Sequence, residues 1–325
     1  MSRWQEKIVK TTDVSYVGID VSKDKLDVCI LPHGCIQQID NTRKSIRKLV
    51  KELKDCNTSI VVMEATGKYH RQAHSILHDA GLAVSIVNPF RSRQFSESLG
   101  KMAKSDTIDA EALAQFGMRM EPKVTPPTDD KIRELHDLYV ARRQICKEVS
   151  DLKRQVQTTD ITWIKRQIRA RIDMGDRHKK VIENEMEALI ASCDELKARF
   201  DILTSIPNIG RITAMVLLAD LVELGQANAK EIAALAGVAP MNWDSGQKNG
   251  NRIIRGGRQP VRNALYMCAV SAITGSDPFG QTYKRLVKRG KNPKIALTAV
   301  MRKLVIVANT LITENRHWEP ASPLA

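Results

Sequence analysis

Two short apolar runs near the start of the chain, residues 14–20 and 60–64, each end in an acidic residue, Asp20 and Glu64. Runs of this length, rich in β-branched residues, predict strands. A strand that ends in a carboxylate places it at the rim of a sheet, and a neighbouring strand can place a second carboxylate beside it. The alternative interpretation is that each acid is only a turn or cap residue.

A further acidic pair, Asp106 and Asp109, is three residues apart, so both side chains share one face of a predicted helix. That helix can lie across the rim that carries Asp20 and Glu64. Four carboxylates this close would repel one another, and cations relieve the repulsion. Magnesium prefers carboxylate and water ligands, and two such ions about 4 Å apart can clamp a reacting phosphodiester. The pattern predicts two Mg²⁺ ions, with Mn²⁺ as a substitute; Asp106 as a simple helix cap is the alternative.

The chain carries 51 Lys and Arg against 37 Asp and Glu, a net charge of +14 over 325 residues. Such an excess predicts a polyanionic partner, and nucleic acid is the commonest. Residues 248–303 are the most basic part, with Asp277 as their single acid. We therefore expect nucleic-acid contacts towards the C-terminus and metal chemistry towards the N-terminus.

The six cysteines form no CxxC pair, which favours free thiols in a reducing cytosol. His70, His74 and His78 share one helical face, and an exposed polar stripe explains them better than a metal site. No signal peptide and no apolar span of about 18 residues is apparent, so we expect a cytoplasmic, nucleoid-associated bacterial protein with no membrane contact.

Hydrophobic periodicity divides the chain into three parts, 1–125, 126–200 and 201–325. The first part predicts an α/β domain of ribonuclease-H-like order, with strands at 14–20, 26–31, 35–40, 59–64 and 82–87 and helices at 43–54, 68–80, 89–98 and 107–120. A proline-rich linker, 122–127, ends it.

Two long antiparallel helices, 129–156 and 161–200, are predicted for the second part. The first has a nearly heptad apolar stripe made of Leu135, Leu138, Ile145, Val149, Leu152 and Val156. This stripe favours a coiled-coil arm for oligomerisation over helices that merely pack on a neighbouring domain.

The third part is predicted to be mainly α, with helices at 228–237, 259–274, 279–289 and 293–314. Residues 203–221 have the form of a helix-hairpin-helix: Pro207 ends one helix, Gly210 permits a tight turn, and the amides from Arg211 face a phosphate. A plain helical turn is the alternative. A glycine-rich basic loop, 241–258, can approach a sugar-phosphate backbone closely. The predicted nucleic-acid contacts are Gly210, Arg211, Lys248, Arg252, Arg255, Arg258, Arg262, Lys284, Arg285, Lys288 and Arg289.

The chain resembles the DEDD-motif transposases, a family that includes Piv-type DNA invertases and bridge-RNA-guided recombinases of insertion sequences. The resemblance covers nearly the whole chain. Its motifs are Val-Gly-Ile-Asp-Val-Ser-Lys, Glu-Ala-Thr-Gly, Asn-Pro, Lys-Ser-Asp-Thr-Ile-Asp-Ala, Ser-Ile-Pro-Asn-Ile-Gly and Asp-Ser-Gly. It implies a RuvC-like N-terminal domain, a coiled-coil arm and a C-terminal transposase domain.

The resemblance also implies roles for individual residues. The four metal-binding acids of the family fall on Asp20, Glu64, Asp106 and Asp109. The nucleophilic serine falls on Ser245, within Asp-Ser-Gly, where some relatives have Glu in place of the Asp. Attack by this serine on double-stranded DNA would give a covalent phosphoserine–DNA intermediate.

Family members are homodimers that pair into tetramers on donor and target DNA, which implies an active site assembled between protomers. The resemblance further implies a noncoding guide RNA, although a DNA invertase acting without one is also compatible. Two rival functions are a hydrolytic RuvC-like endonuclease, which would need the acids but no Ser245, and a non-enzymatic nucleic-acid-binding protein.

Overall fold

The computed structural model describes residues 14–65, 67–100, 106–241 and 252–320, with the side chains of residues 106 and 107 outside that description. The chain separates into two compact units, Met1–Pro127 and Thr128–Ala325. The first is an α/β unit and the second is mainly helical, as the sequence predicts.

The N-terminal unit is built on one mixed sheet of five strands in the order β3-β2-β1-β4-β5. Strand β1 is antiparallel to β2 and parallel to β4. The predicted sequence of three strands, helix, strand, helix, strand and two helices is confirmed. Its elements are β1 Ser15–Val21, β2 Lys25–Leu31, β3 Cys35–Asp40, α1 Arg43–Asp55, β4 Thr58–Glu64, α2 His70–Asp79, β5 Val84–Val87, α3 Pro89–Ser98 and α4 Asp106–Met120.

Helices cover both faces of this sheet. On one face, Ile19 and Leu26 pack with Leu49 of α1 and Leu77 of α2 in a single core. On the other face, α4 crosses β1 at Gly18, where an added Cβ would lie 2.0 Å from the Ala110 carbonyl oxygen. Since side chains alternate along a strand, Gly18 and Asp20 face α4 while Ile19 faces α1.

The segment 122–127, predicted as a linker, is bound to the edge of the sheet. The Thr125 amide donates to the Val84 carbonyl at 2.8 Å, and the Ile86 amide donates to Thr125 Oγ1 at 3.2 Å. His74, predicted to be exposed, is 6% exposed, and its Nε2 lies 2.7 Å from the Thr125 carbonyl oxygen. Thr125 is therefore attached to the first unit, because the unpaired edge of the sheet supplies partners for its backbone.

The second unit consists of eight helices and a short antiparallel strand pair within its described residues. They are α5 Asp130–Thr158, α6 Thr162–Ala191, α7 Asp194–Ser205, α8 Arg211–Asp220, α9 Ala229–Leu235, β6 Pro240–Met241, β7 Ile253–Ile254, α10 Gln259–Ala272, α11 Pro278–Lys288 and α12 Pro293–Thr313. The single helix predicted over 161–200 was wrong. Cys193 adopts an extended backbone, and Asp194 and Glu195 supply the acidic first turn that favours a new helix start.

Helices α5 and α6 pack against each other as the predicted antiparallel pair. Gly175 lets them approach closely, since an added Cβ there would lie 2.6 Å from Val149 Cγ2. Arg142 Nε donates to Glu183 Oε1 at 2.7 Å across the pair. At its base, Leu135 joins the core formed with the helices that follow. The separation of this pair from 201–325 as an arm, and its part in oligomerisation, remain predictions.

One helix of the described chain, α12, is long and apolar enough to cross a membrane by length and composition alone. The expectation that no such span exists was wrong on that criterion. Its apolar side chains, among them Val300, Leu304 and Val305, are buried in the core of the helical unit. Burial in this core explains why α12 is rich in apolar residues.

Candidate active site and nucleic-acid contacts

Asp20 and Glu64 occupy adjacent positions on neighbouring parallel strands. The ladder between β1 and β4 pairs Ile19 with Met63, and each acid is the next residue on its strand. Both side chains are half-buried. Because the register is shared, both carboxylates lie on the face that α4 covers, at the carboxyl end of the strands. The predicted juxtaposition of these two acids at one rim is thus present.

A third carboxylate, Asp27, extends this row across β2. It lies directly opposite Asp20 in the antiparallel ladder and is 6% exposed. Gln38 Nε2 on β3 donates to Asp27 Oδ1 at 2.9 Å. Like charges directly opposite each other are destabilising, and the hydrogen bond from Gln38 offsets part of that cost for Asp27. Sequence reasoning missed Asp27, although its place two residues after a polar turn in an otherwise apolar strand was a usable signal.

Asp109 belongs to the first turns of α4, whose direction is set by its packing. Ala110 and Ala114 lie against Gly18, while Phe116, further along α4, packs with Tyr16 at the start of β1. The helix thus runs opposite to β1, and its N-terminal turns are towards the end that carries Asp20. The Asp106 side chain lies outside the described residues. Among the side chains that are described, no three His, Cys, Asp or Glu residues form a metal-binding group.

Glu64 is held by a residue that sequence reasoning did not identify. The Ser92 hydroxyl, 7% exposed, donates to Glu64 Oε2 at 2.7 Å and lies 3.0 Å from the Pro89 carbonyl oxygen. Asn88 begins helix α3 by accepting a hydrogen bond from the Phe90 amide at 2.8 Å. The Asn-Pro motif therefore starts the helix whose first turn carries Ser92 towards Glu64. A serine four residues after Asn88 was the available signal.

Ser245 and Lys248 lie outside the described residues. The flanking chain is a short antiparallel ladder that pairs Pro240 with Ile254 and Met241 with Ile253. Met241, Ile253 and Ile254, which fall within the predicted glycine-rich loop 241–258, are therefore paired strand residues.

The end of this loop is anchored by arginines that were predicted to bind nucleic acid. Arg258 donates through Nη2 to Glu223 Oε1 at 2.6 Å and pairs through Nη1 with the second carboxylate oxygen. Burial raises the pKa of Glu223, but the hydrogen bond and charge of Arg258 outweigh it, so the pKa is lowered overall. Arg262 Nη1 donates to the Gly256 carbonyl at 2.6 Å. Both guanidinium groups thus have structural partners.

The connection between α7 and α8 differs from its predicted form. Gly210 has an extended backbone with φ −80° and ψ 168°, and the left-handed residue is Asn208 with φ 69°. Arg211 Nη2 lies 2.6 Å from Glu187 Oε2, and its guanidinium lies 5.5 Å from the centre of the Phe200 ring. The tight turn therefore depends on Asn208, and Arg211 is engaged within the unit.

The remaining predicted contacts differ in whether their side chains already have partners within the unit. Lys284 Nζ donates to the Gly275 carbonyl at 2.9 Å. Burial, followed by the charge of Arg285, lowers the pKa of Lys303. Five exposed side chains have no ion pair among the described residues: Arg252, Arg255, Arg285, Lys288 and Arg289.

The sequence of this chain is similar to two family models and to several known proteins. Residues 17–159 match a family model of DEDD-type transposases, and residues 200–284 match one described as transposase IS116/IS110/IS902 family. A pilin gene-inverting protein of Moraxella bovis is 31% identical over 324 residues, covering 94% of this chain and 98% of that protein. The transposase for insertion sequence element IS1328 of Yersinia enterocolitica is 25% identical, covering 79% of this chain and 83% of that protein.

A solved structure of T. thermophilus RuvC in complex with a Holliday junction substrate also matches, at 15% identity and a TM-score of 0.26. It covers 33% of this chain and 96% of that one. That score is too low to bear on the fold. The two family models and the end-to-end relative lead to one conclusion: the chain belongs to the IS110-type DEDD transposases, a family of DNA recombinases that extends to the pilin gene-inverting proteins.

Proposed function

We propose that this protein cuts and rejoins double-stranded DNA as the transposase or site-specific recombinase of an insertion sequence, with Asp20, Glu64, Asp106, Asp109 and Ser245 as its reacting groups. The observation that carries the proposal is the pairing of Asp20 and Glu64 on adjacent strand ends, on the face that α4 covers. Both acids fall within residues 17–159, the range that matches the DEDD transposase family model.

The four acids would hold Mg²⁺, for which Mn²⁺ could substitute. Oxygen donors of this kind suit a hard cation, and the close row of carboxylates gives a reason for one to bind. Bound ions would stabilise the negative charge that develops on the phosphate and on the entering and leaving oxygens. Ser92 contributes by fixing one oxygen of Glu64.

Ser245 would be the nucleophile. Its hydroxyl loses a proton and its Oγ forms a bond to phosphorus, while the bond from phosphorus to one deoxyribose oxygen breaks. The product is a phosphoserine linkage to one DNA end and a free hydroxyl on the other. A hydroxyl of a second DNA end then attacks this linkage and releases the serine, so that no external energy source is needed to rejoin the strands.

We assign the phosphate contacts first to the exposed cations that have no ion pair within the described part of the chain: Arg252, Arg255, Arg285, Lys288 and Arg289. Gly210, Arg211, Lys248, Arg258, Arg262 and Lys284 remain secondary candidates.

The net charge of +14 also suits a noncoding guide RNA that pairs with donor and target DNA. We further propose a cytoplasmic homodimer, joined through α5 and α6, that pairs into a tetramer on two duplexes.

A second candidate is DNA inversion without a guide RNA. It is favoured by similarity over 94% of this chain to proteins named for inverting a pilin gene. The chemistry at the acids and at Ser245 would be the same, and the arrangement of the two DNA sites would differ. A hydrolytic endonuclease is the remaining alternative, in which water takes the place of Ser245.

Denaturing protein gels after reaction with labelled element-junction DNA, Mg²⁺ and co-expressed flanking RNA test this proposal. Wild type and the control Ser276→Ala, which changes an exposed serine of the same unit, are expected to give a DNA-labelled protein band. Ser245→Ala is expected to give none. Nicked DNA without a labelled band in any of the three would contradict the serine mechanism and favour hydrolysis.

A further inference from the structure

Helix α1 presents a row of positive charge that the proposed chemistry does not use. Six of its residues are exposed cations, and at 3.6 residues per turn they fall within an arc of about 140°. They form what we call the α1 stripe: Arg43, Lys44, Arg47, Lys48, Lys51 and Lys54. The opposite side of the helix buries Ile46, Leu49 and Leu53.

No ion pair holds any cation of the α1 stripe among the described residues. The two acids of the helix are Glu52 and Asp55. Glu52 lies towards the β3 side, where it accepts a hydrogen bond from Gln37 Nε2 at 3.0 Å. Asp55 is the last residue of the helix. Asp55 falls within the same arc, so that side of the helix carries six cations and one acid.

The α1 stripe lies on the sheet face opposite the candidate active site. Leu49 packs with Ile19 on one face, whereas Gly18 and Asp20 face α4 on the other. The start of α1 is nevertheless fixed at the rim where Asp20 lies. The Asn41 amide donates to the Asp24 carbonyl at 2.9 Å, and Asn41 Nδ2 donates to the Ser22 carbonyl at 3.0 Å.

From that rim the helix runs back across the sheet to the start of β4. From Arg43 to Lys54 the stripe extends over about 16 Å at 1.5 Å per residue. That length matches about five phosphates of one nucleic-acid strand, which are spaced about 3.4 Å apart along the axis. An ordered, one-sided row of cations with this reach is suited to a sugar-phosphate backbone.

We propose that the α1 stripe binds the sugar-phosphate backbone of a nucleic acid that leaves the catalytic rim and passes over the opposite face of the N-terminal unit. The bound segment is therefore distinct from the phosphodiester at the acids, and its recognition is independent of sequence. The chain belongs to a family of DNA recombinases, so the proposed occupant is double-stranded DNA, and an RNA duplex of the same sequence is the alternative that the experiment tests.

The test is the salt dependence of binding, measured in EDTA by fluorescence anisotropy with a labelled DNA duplex and an RNA duplex of the same sequence. The variant Arg47→Gln, Lys48→Gln, Lys51→Gln removes three charges and keeps good helix formers. The control Arg119→Gln, Lys123→Gln, Lys230→Gln removes the same charge from exposed positions outside α1 and α5. Thermal melts establish that both variants are folded.

For the α1 variant we expect the slope of log K against log salt to become smaller by about 2 to 3, with affinity at low salt reduced about tenfold or more. A loss with the DNA probe supports the proposal, whereas a loss with the RNA probe alone overturns it and favours RNA at this surface. Unchanged binding of both probes, or an equal loss in the control, overturns it. Because no metal is present, a failure of the proposed catalysis would not alter this result.

Discussion

Ser92 and Glu64 are joined by a hydrogen bond of 2.7 Å from the serine hydroxyl to Oε2 of the carboxylate. Both belong to the candidate active site, yet they are separated by α2 and β5 in the chain. Hydrogen bonds to charged groups are roughly twice as strong as neutral ones, and this one limits the rotation of the Glu64 side chain. Ser92 is thus a positioning residue for one of the four predicted acids.

Ser92→Ala is expected to lower the strand-transfer rate about tenfold, the lower end of the effects seen when partners of metal ligands are lost. The half-saturating Mg²⁺ concentration should rise as well, which a general loss of stability would not produce. Ser92→Thr, which keeps the hydroxyl, should restore both. Ser98→Ala is the control, since its exposed hydroxyl donates to the Phe95 carbonyl of the same helix. An unchanged Mg²⁺ dependence in Ser92→Ala would count against positioning.

Gly18→Ala should lower the free energy of unfolding of the N-terminal unit by about 3 kcal/mol or more. This is the upper end of the range for adding a methyl group to a well-packed core. The new Cβ would lie 2.0 Å from the Ala110 oxygen and 2.3 Å from the Ala114 nitrogen, and neither backbone can move without displacing α4. Gly117→Ala is the matched control, because its Cβ would meet only the Val62 and Ile60 side chains at 3.0 and 3.2 Å. Urea unfolding gives both values, and equal losses would contradict the stated packing.

Glu223→Gln tests the anchor at the end of the loop that carries Ser245. Since Arg258 lowers the pKa of the folded carboxyl, the pair adds stability above the ordinary pKa of 4.5 and loses it as pH falls through the lowered value. The cost at pH 7 is expected to be about 1 kcal/mol, because both side chains are about one-third exposed to screening solvent.

The cost of Glu223→Gln should fade when urea unfolding is repeated at progressively lower pH. Glu314→Gln is the comparison, since its pair with Arg316 is more exposed and should contribute little at any pH. A cost for Glu223→Gln that stays constant down to strongly acid pH would show that the ion pair is not its origin.

Arg285→Gln should weaken DNA binding more than Arg211→Gln. Arg285 is exposed and has no ion pair among the described residues, whereas Arg211 is already bound to Glu187 and stacked on Phe200. Loss of one phosphate contact should make the salt slope smaller by about 1 for Arg285→Gln and leave it nearly unchanged for Arg211→Gln. Anisotropy titrations at several salt concentrations decide between them, and the reverse order would restore Arg211 as a leading contact.

Much of the N-terminal unit was predictable because its strands are continuous apolar runs with clear ends. Both β1 and β4 are buried, and their burial fixes the register in which they pair. The row formed by Asp27, Asp20 and Glu64 was only partly predictable. It depends on an antiparallel pairing that periodicity does not specify. Ser92 depends on a contact between residues 28 positions apart, which local pattern cannot reveal.

In the helical unit, hydrophobic periodicity predicted where the helices lie. It did not predict where a helix is interrupted or which arginines already have ion-pair partners. The break at Cys193 comes from one residue in an extended conformation within an otherwise helical pattern. Arg211 and Arg258 were selected by charge, but charge alone does not show whether an arginine already has a carboxylate partner.

The most direct test of the account is the rate of strand transfer by Asp20→Asn in Mg²⁺ on element-junction DNA. The substitution is nearly isosteric and removes one negative charge from the predicted metal site. Asp79→Asn, an exposed acid of the same unit, is the control. We predict a loss of more than about a hundredfold for Asp20→Asn with DNA affinity and melting temperature retained, and no loss for the control. Strand transfer by Asp20→Asn at the wild-type rate would contradict a catalytic part for this carboxylate row.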